Sequence, residues 1–183
     1  MIRHALARPI VAVAIVALIV HFMTILAIPR VVMWYVLDGA TRIGGVNAAH
    51  HPPPVTATRH GIPLPSPDLL YSTCVLDLDS GPVEISVTPG KEYLSLSIFD
   101  SNTNNVFVAN DQTSHGGAIN LFVTSSTAQP PGATPPPAPA GYTAVRVSTD
   151  RALLLLRALA STPQMQAEAD GVRHSLVCAP AKI

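Results

Sequence analysis

Twenty consecutive residues from Pro9 to Ile28, PIVAVAIVALIVHFMTILAI, carry no formal charge, and no other feature limits the chain's fold as strongly. As an α-helix this run is about 30 Å long, the thickness of a bilayer's hydrocarbon core. The competing reading is a secretory signal that is cut away. The run is longer than the roughly 7–15 residues of a signal's apolar region, and no small-x-small site follows it. Ile25-Leu26-Ala27 fails at its first position, and Asp38-Gly39-Ala40 fits no better. The sequence therefore predicts an uncleaved single-pass anchor in the lipid bilayer, with residues 1–8 as a cytoplasmic tail and 9–28 as the span. His21 lies within it, where a neutral imidazole is far cheaper than a charge and is either tolerated or turned towards a partner helix.

Flanking charge orients the anchor weakly, because Arg3 and Arg8 on one side face Arg30 and Arg42 on the other. The short N-terminal tail and the cysteine-bearing remainder favour an N-in, C-out arrangement in a bacterial inner membrane, with the C-terminal domain in the periplasm. Residues 29–43 hold Trp34 and Tyr35 where interfacial aromatics belong, and read as the helix end or a short piece lying at the headgroups.

A linker is expected over 44–65. Residues 44–67 carry six prolines and no hydrophobic period, so the stretch should stay extended and unpacked, partly as polyproline II. His50, His51 and His60 raise the question of a metal. Solvent-exposed linker histidines are the better reading, since no Cys or carboxylate stands at ligand spacing beside them.

Past the linker the period changes to two. Val83, Ile85 and Val87 alternate with Glu84, Ser86 and Thr88, and Leu94, Leu96 and Ile98 alternate with Ser95, Ser97 and Phe99. Alternation of this kind sends one set of side chains to a core and the other outward. Pro89-Gly90 between the two runs predicts a type II turn with Gly90 at positive φ, and hence an antiparallel hairpin over 82–99. Residues 68–111 as a whole read as three or four consecutive strands. His115-Gly116-Gly117 marks a turn before a strand at 118–124. The proline tract at 129–141 lacks the N–H groups of a ladder and reads as a loop inserted within one domain. Residues 142–147 alternate as a strand. Arg151 to Ala160 contains four consecutive leucines and fits either state by local pattern. Ser161-Thr162-Pro163 is a hydroxyl N-cap followed by proline in the first turn, and Met165, Ala169, Val172 and Leu176 then fall on one helical face. A short strand at 175–178 closes the domain, which spans 66–183.

Composition sets bounds on function. Apolar residues make up 48% of the chain and charged ones only 12%, and there is no clustered basic face of the kind nucleic acid requires. Among motifs with a mechanism, G-x-S-x-G, H-E-x-x-H, C-x-x-C and a phosphate-cradling glycine loop do not occur, and no cofactor is implied. Asp100, Asn102, Asn104 and Asp111 stand at positions 1, 3, 5 and 12 of a calcium-loop spacing. Position 6 is Asn105 rather than glycine and the last ligand is the short Asp111. A polar turn whose side chains cap local backbone groups fits this stretch better. Cys74 and Cys178 form an even pair, a disulfide candidate in an oxidising compartment, against the alternative of two buried free thiols.

Pro67-Asp68-Leu69-Leu70-Tyr71-Ser72, then Asp77-Leu78, Gly81-Pro82-Val83, Tyr93-Leu94-Ser95-Leu96, Asp100 and Thr103-Asn104-Asn105-Val106-Phe107 follow one another in order. In that order and spacing the chain resembles the bacterial family called domain of unknown function 1254, over about residues 62–125 with a fainter echo from 141 onward. Leu69 stands where the family has threonine, and Ser66-Pro67 replaces its polar-basic pair. The resemblance implies a mainly β (α+β), antiparallel sandwich-like extracytoplasmic domain with one C-terminal helix, and it favours a strand for the leucine run. It also suggests that a companion domain, domain of unknown function 1214, comes from a separate protein.

Three functions follow, one of them a structural anchor that presents a separate companion-domain protein at the membrane. The first is a membrane-anchored, non-catalytic binding or assembly module of the cell envelope, with Asp68, Tyr71, Ser72, Asp77, Asp100, Asn104 and His115 as candidate binding residues. The alternative is an envelope enzyme using a polar cluster around Asp68, Asp100 and His115. Acid–base chemistry would require those groups to meet in one cleft.

Overall fold

The computed structural model describes residues 2–56, 65–128 and 134–182, with side chains from Pro9 onward. The chain begins with one continuous helix, α1 (Ile2–Gly44), which contains Pro9 and Pro29. At 43 residues it is about 65 Å long. Its window from Pro9 is long and apolar enough to cross a membrane, and none of that window is buried within the protein. Pro29 removes an N–H from the helical ladder. The next residue, Arg30, donates from Nη1 to the Leu26 carbonyl at 2.7 Å.

Eight strands follow: β1 (Leu69–Asp77), β2 (Val83–Val87), β3 (Leu94–Asp100), β4 (Asn105–Asn110), β5 (Ile119–Ser125), β6 (Thr143–Val147), β7 (Arg151–Leu159) and, after helix α2 (Pro163–His174), β8 (Val177–Pro180). They form two four-stranded sheets, ordered β1-β7-β3-β4 and β6-β5-β2-β8. The first is antiparallel throughout, whereas the second is mixed because β5 and β6 run parallel. Parallel neighbours need a long crossover, and the segment containing the proline tract supplies it. The part of that tract at 129–133 lies outside the described residues. β5 and β6, which flank the tract, are neighbours in one sheet.

Alternation sets the two facing layers. Val83, Ile85 and Val87 from one sheet meet Leu96, Ile98, Leu154 and Leu156 from the other in a common core, each with 1% or less of its surface exposed. Each such burial contributes about 1.5–3 kcal/mol. The leucine run is a strand, β7, paired on both sides, to β1 and to β3. Its continuous apolar character has a structural cause. Leu154 and Leu156 face the core between the sheets, while Leu153 faces outward beneath Met33 and Leu37 of α1.

Several expectations need correction. Residues 82–99 are not a hairpin: β2 pairs with β5 and β8, and β3 pairs with β4 and β7. The Pro89-Gly90 connection instead carries the chain from one sheet to the other. Gly90 is not at positive φ. It is small because α2 lies against it: a Cβ there would stand 2.8 Å from Val172 Cγ2 and 3.2 Å from Glu168 Oε1.

Of the two readings of residues 29–43, the structure adopts the helix end, and that end is packed on the domain. α1 continues through residues 29–43, and Met33 and Leu37 are buried with Val75 and Leu153 on the outward face of the first sheet. Trp34 and Tyr35 remain exposed at 63% and 74%. The first, described part of the linker is docked rather than unpacked. Asn47 exchanges bonds with Asp77 through its side chain, and His50 pairs its backbone with Thr73. Residues 57–64, including His60, lie outside the described residues.

The calcium-loop spacing is interrupted by β4, which separates Asp100 from Asp111 by a strand's length. Asp111 Oδ1 accepts from the Leu94 N–H at 3.3 Å instead. Helix α2 starts where its cap signal lies, with Thr162 accepting from the Met165 N–H and Pro163 in the first turn. Ala169 and Leu176 are buried and Val172 packs against the same core.

Candidate functional site

Helix α2 brings its last two turns against β1 and the docked linker. Arg173 is 6% exposed, and its guanidinium makes four short contacts. Nε and Nη2 both reach Asp170 Oδ1 at 2.6 Å. Nη1 donates to the Pro52 carbonyl at 2.6 Å and to the Tyr71 carbonyl at 3.2 Å. A buried cation is tolerated when paired and hydrogen-bonded in this way. One side chain thus fastens linker, strand and helix together.

Beside it, His51 Nδ1 lies 2.8 Å from Ser72 Oγ. The His51 ring stands 4.4 Å from that of His174, tilted by 32°. His174 donates from Nδ1 to the Asp170 carbonyl at 2.7 Å. Burial, with the neighbouring His174, Arg173 and His50, holds the His51 pKa below its usual 6.5, and Asp170 opposes this. The neutral ring is therefore the favoured form. Ser72 has no exposed surface, so its hydroxyl serves as a partner for His51 rather than as a nucleophile open to solvent. Among the described residues, no group of three or more His, Cys, Asp or Glu is arranged to hold a metal.

The seven candidate binding residues divide between the two ends of the first sheet. Tyr71 and Ser72 stand at the seam; the Tyr71 hydroxyl accepts from the Ser66 N–H at 3.0 Å. Asp68 holds the turn before β1, its carbonyl accepting from the Ala160 N–H. Asp77 lies at the opposite end of β1, across from Arg151 in β7. Asp100 shares that end, paired to Ala152. His115 sits in the turn after β4 at φ 49°, followed by Gly116 at φ 75°. Asp68 and Asp100 are thus a strand's length apart, and the cluster of Asp68, Asp100 and His115 does not assemble.

Asp100 and Asn104 instead build a turn. Asp100 Oδ1 accepts from the N–H groups of Asn102 and Asn104 at 2.8 and 2.9 Å. Oδ2 accepts from Asn104 Nδ2 at 2.8 Å and from the Ser148 hydroxyl at 3.0 Å. Burial alone would raise the Asp100 pKa, but these bonds from Asn104, Asn102 and Ser148 outweigh it and hold the carboxyl below its usual value. The polar-turn reading of this stretch is the one the structure adopts.

Asp170, Arg173 and His174 are site residues absent from the expected set, and His51 is half-buried rather than an exposed linker residue. Their signal was present: Asp170 lies three and four residues before Arg173 and His174, the spacing of neighbours on one helix face. Nothing local revealed that Pro52, Tyr71 and Arg173 would meet.

The two cysteines face each other between the sheets. Cys74 in β1 is 1% exposed and Cys178 in β8 is 7% exposed, both within the main core. They are free thiols, and Cys74 is the neighbour that acts most strongly on Cys178. Its influence, together with burial, pushes the Cys178 thiol far above its ordinary range.

The chain is similar to the crystal structure of the VPA0106 protein from Vibrio parahaemolyticus, at 15% identity and a TM-score of 0.58, over 81% of this chain and 35% of that one. A second crystal structure, of an uncharacterised protein from Burkholderia cenocepacia, aligns at 15% identity and a TM-score of 0.46, over 72% of this chain and 36% of that one. The chain thus spans about a third of the length of either. No curated protein matches it. The family model for "Protein of unknown function (DUF1254)" matches residues 46–180, from the docked linker through β8, and the chain belongs to that family.

Proposed function

We propose that this protein is a membrane-anchored binding or assembly module of the bacterial cell envelope, its β domain held in the periplasm against the inner membrane. One observation carries the reading. The apolar stretch of α1 is wholly exposed while the final turns of the same helix are buried on the first sheet. An unburied apolar surface of that length is stable only in lipid or against other apolar helices. Anchor and domain are joined through packed side chains and a hydrogen bond from Arg151 Nη2 to Thr41 Oγ1 at 2.6 Å. The domain would therefore sit close to the headgroups, with Trp34 and Tyr35 at the interface.

The division of the polar candidates between two sheet ends favours a binding role over acid–base chemistry. The partner we propose is a separate protein that bears the companion domain. The test is affinity capture of the full chain from native membranes in mild detergent, followed by mass spectrometry. Reproducible recovery of one envelope protein bearing the companion domain is expected, and repeated recovery of the chain alone would contradict the assembly role. Protease added to spheroplasts should digest residues 66–183; protection until the inner membrane is broken would reverse the orientation.

A further inference from the structure

We propose that Cys74 and Cys178 are the partners of a disulfide that joins the two sheets and locks the C-terminal strand onto the first. Both belong to edge strands, β1 of one sheet and β8 of the other. Cys74 is paired to Leu154 and Cys178 to Ile85, so each side chain sits over the inward face of its own sheet. Facing sheets stand about 10 Å apart, and a disulfide brings the two Cα atoms nearer than that. β8 has four residues and a partner on one side only, which makes it the element able to make the approach.

The chemistry needs an oxidant, and a second disulfide is the class that fits. One cysteine, as thiolate, attacks the donor disulfide and releases one thiol from it. The other cysteine then attacks the mixed disulfide, forming the S–S bond and releasing the second donor thiol. Two electrons pass to the donor and both cysteine protons leave. The thiolate is the attacking species. In the folded chain burial holds Cys178 as the thiol, and Cys74 directs its S–H towards the Val75 carbonyl at 3.9 Å. The bond therefore forms while β8 is undocked, during folding or by local opening, and is shielded afterwards. This goes beyond the anchoring role and requires only that folding take place in contact with a disulfide donor.

The test uses the full chain in mild detergent, reduced in urea and refolded in a glutathione buffer holding both redox forms. Acid quench, alkylation and peptide mass spectrometry then follow. A linked Cys74–Cys178 peptide is expected, with a bond about tenfold or more harder to reduce in the folded chain than in urea. Glutathione adducts or alkylated thiols without the linked peptide would overturn the proposal. The same analysis on acid-quenched cells reads location separately. A chain that bridges in the buffer but is dithiol in cells upholds the pairing and counts against the periplasmic placement.

Discussion

Arg151 Nη2 donates to Thr41 Oγ1 across 2.6 Å, tying the first residue of β7 to the last turn of α1. Beside this bond Met33, Leu37, Val75 and Leu153 form a cluster of their own, separate from the core between the sheets. The helix that carries the apolar run is therefore a packed element of the domain.

Replacing Leu37 by alanine should loosen that joint. Leu37 is 3% exposed, and truncating a buried leucine costs about 2–5 kcal/mol, towards the lower end where the site can collapse. Hydrogen exchange should show faster amides over 37–44 with little change in β3 and β7. Equal acceleration throughout would mean that the helix and the sheets unfold as a single unit.

Asp100→Asn should destabilise the β3–β4 turn. The carboxylate accepts four hydrogen bonds. An amide would turn a donor towards Asn104 Nδ2 or Ser148, at a cost of about 1–3 kcal/mol. Because the folded-state pKa of Asp100 is depressed below 3.8, its contribution is present above that value and lost as pH falls through the folded pKa. Denaturant titrations from pH 6 to pH 3 should therefore show a steeper acid limb for the native chain than for Asp100→Asn.

His51 should make linker docking pH-dependent. Its folded pKa lies below 6.5, so the neutral ring is bound preferentially. Docking is complete above 6.5 and weakens as pH falls below it towards the folded pKa. Thr73 and His50 exchange backbone bonds at 2.8 and 2.9 Å, and their amide protection reports the docking. Protection should fall between pH 7.5 and 5.5 in the native chain and stay level in His51→Gln. A matching fall in that variant would assign the effect elsewhere.

Gly90→Ala should destabilise by about 1–3 kcal/mol through the clash with Val172. Val172→Ala in the same chain should recover part of the loss. Were Gly90 needed for a turn conformation instead, the second substitution would add its own cost and recover nothing.

The strands were legible because period-two alternation survives wherever one face is buried, as at Val83, Ile85 and Val87. Alternation names a face and leaves the partner open, so Pro89-Gly90 looked like a hairpin turn although β2 and β3 belong to different sheets. The leucine run resisted local reading because β7 is covered on both faces, by the core and by α1. The cap at Thr162 was readable because its chemistry is local. The seam at Arg173 was not, because its partners Pro52 and Tyr71 come from distant parts of the chain. The two cysteines were visible as a pair, while their juxtaposition required the fold.

The retained helix is the claim on which the rest depends, and the N-terminal extent of the mature protein tests it most directly. After alkaline carbonate extraction, the membrane pellet should contain the chain with residues 9–28 still attached, read by peptide mass spectrometry. A shorter, soluble form lacking the apolar run would show that the helix is a cleaved signal and not an anchor.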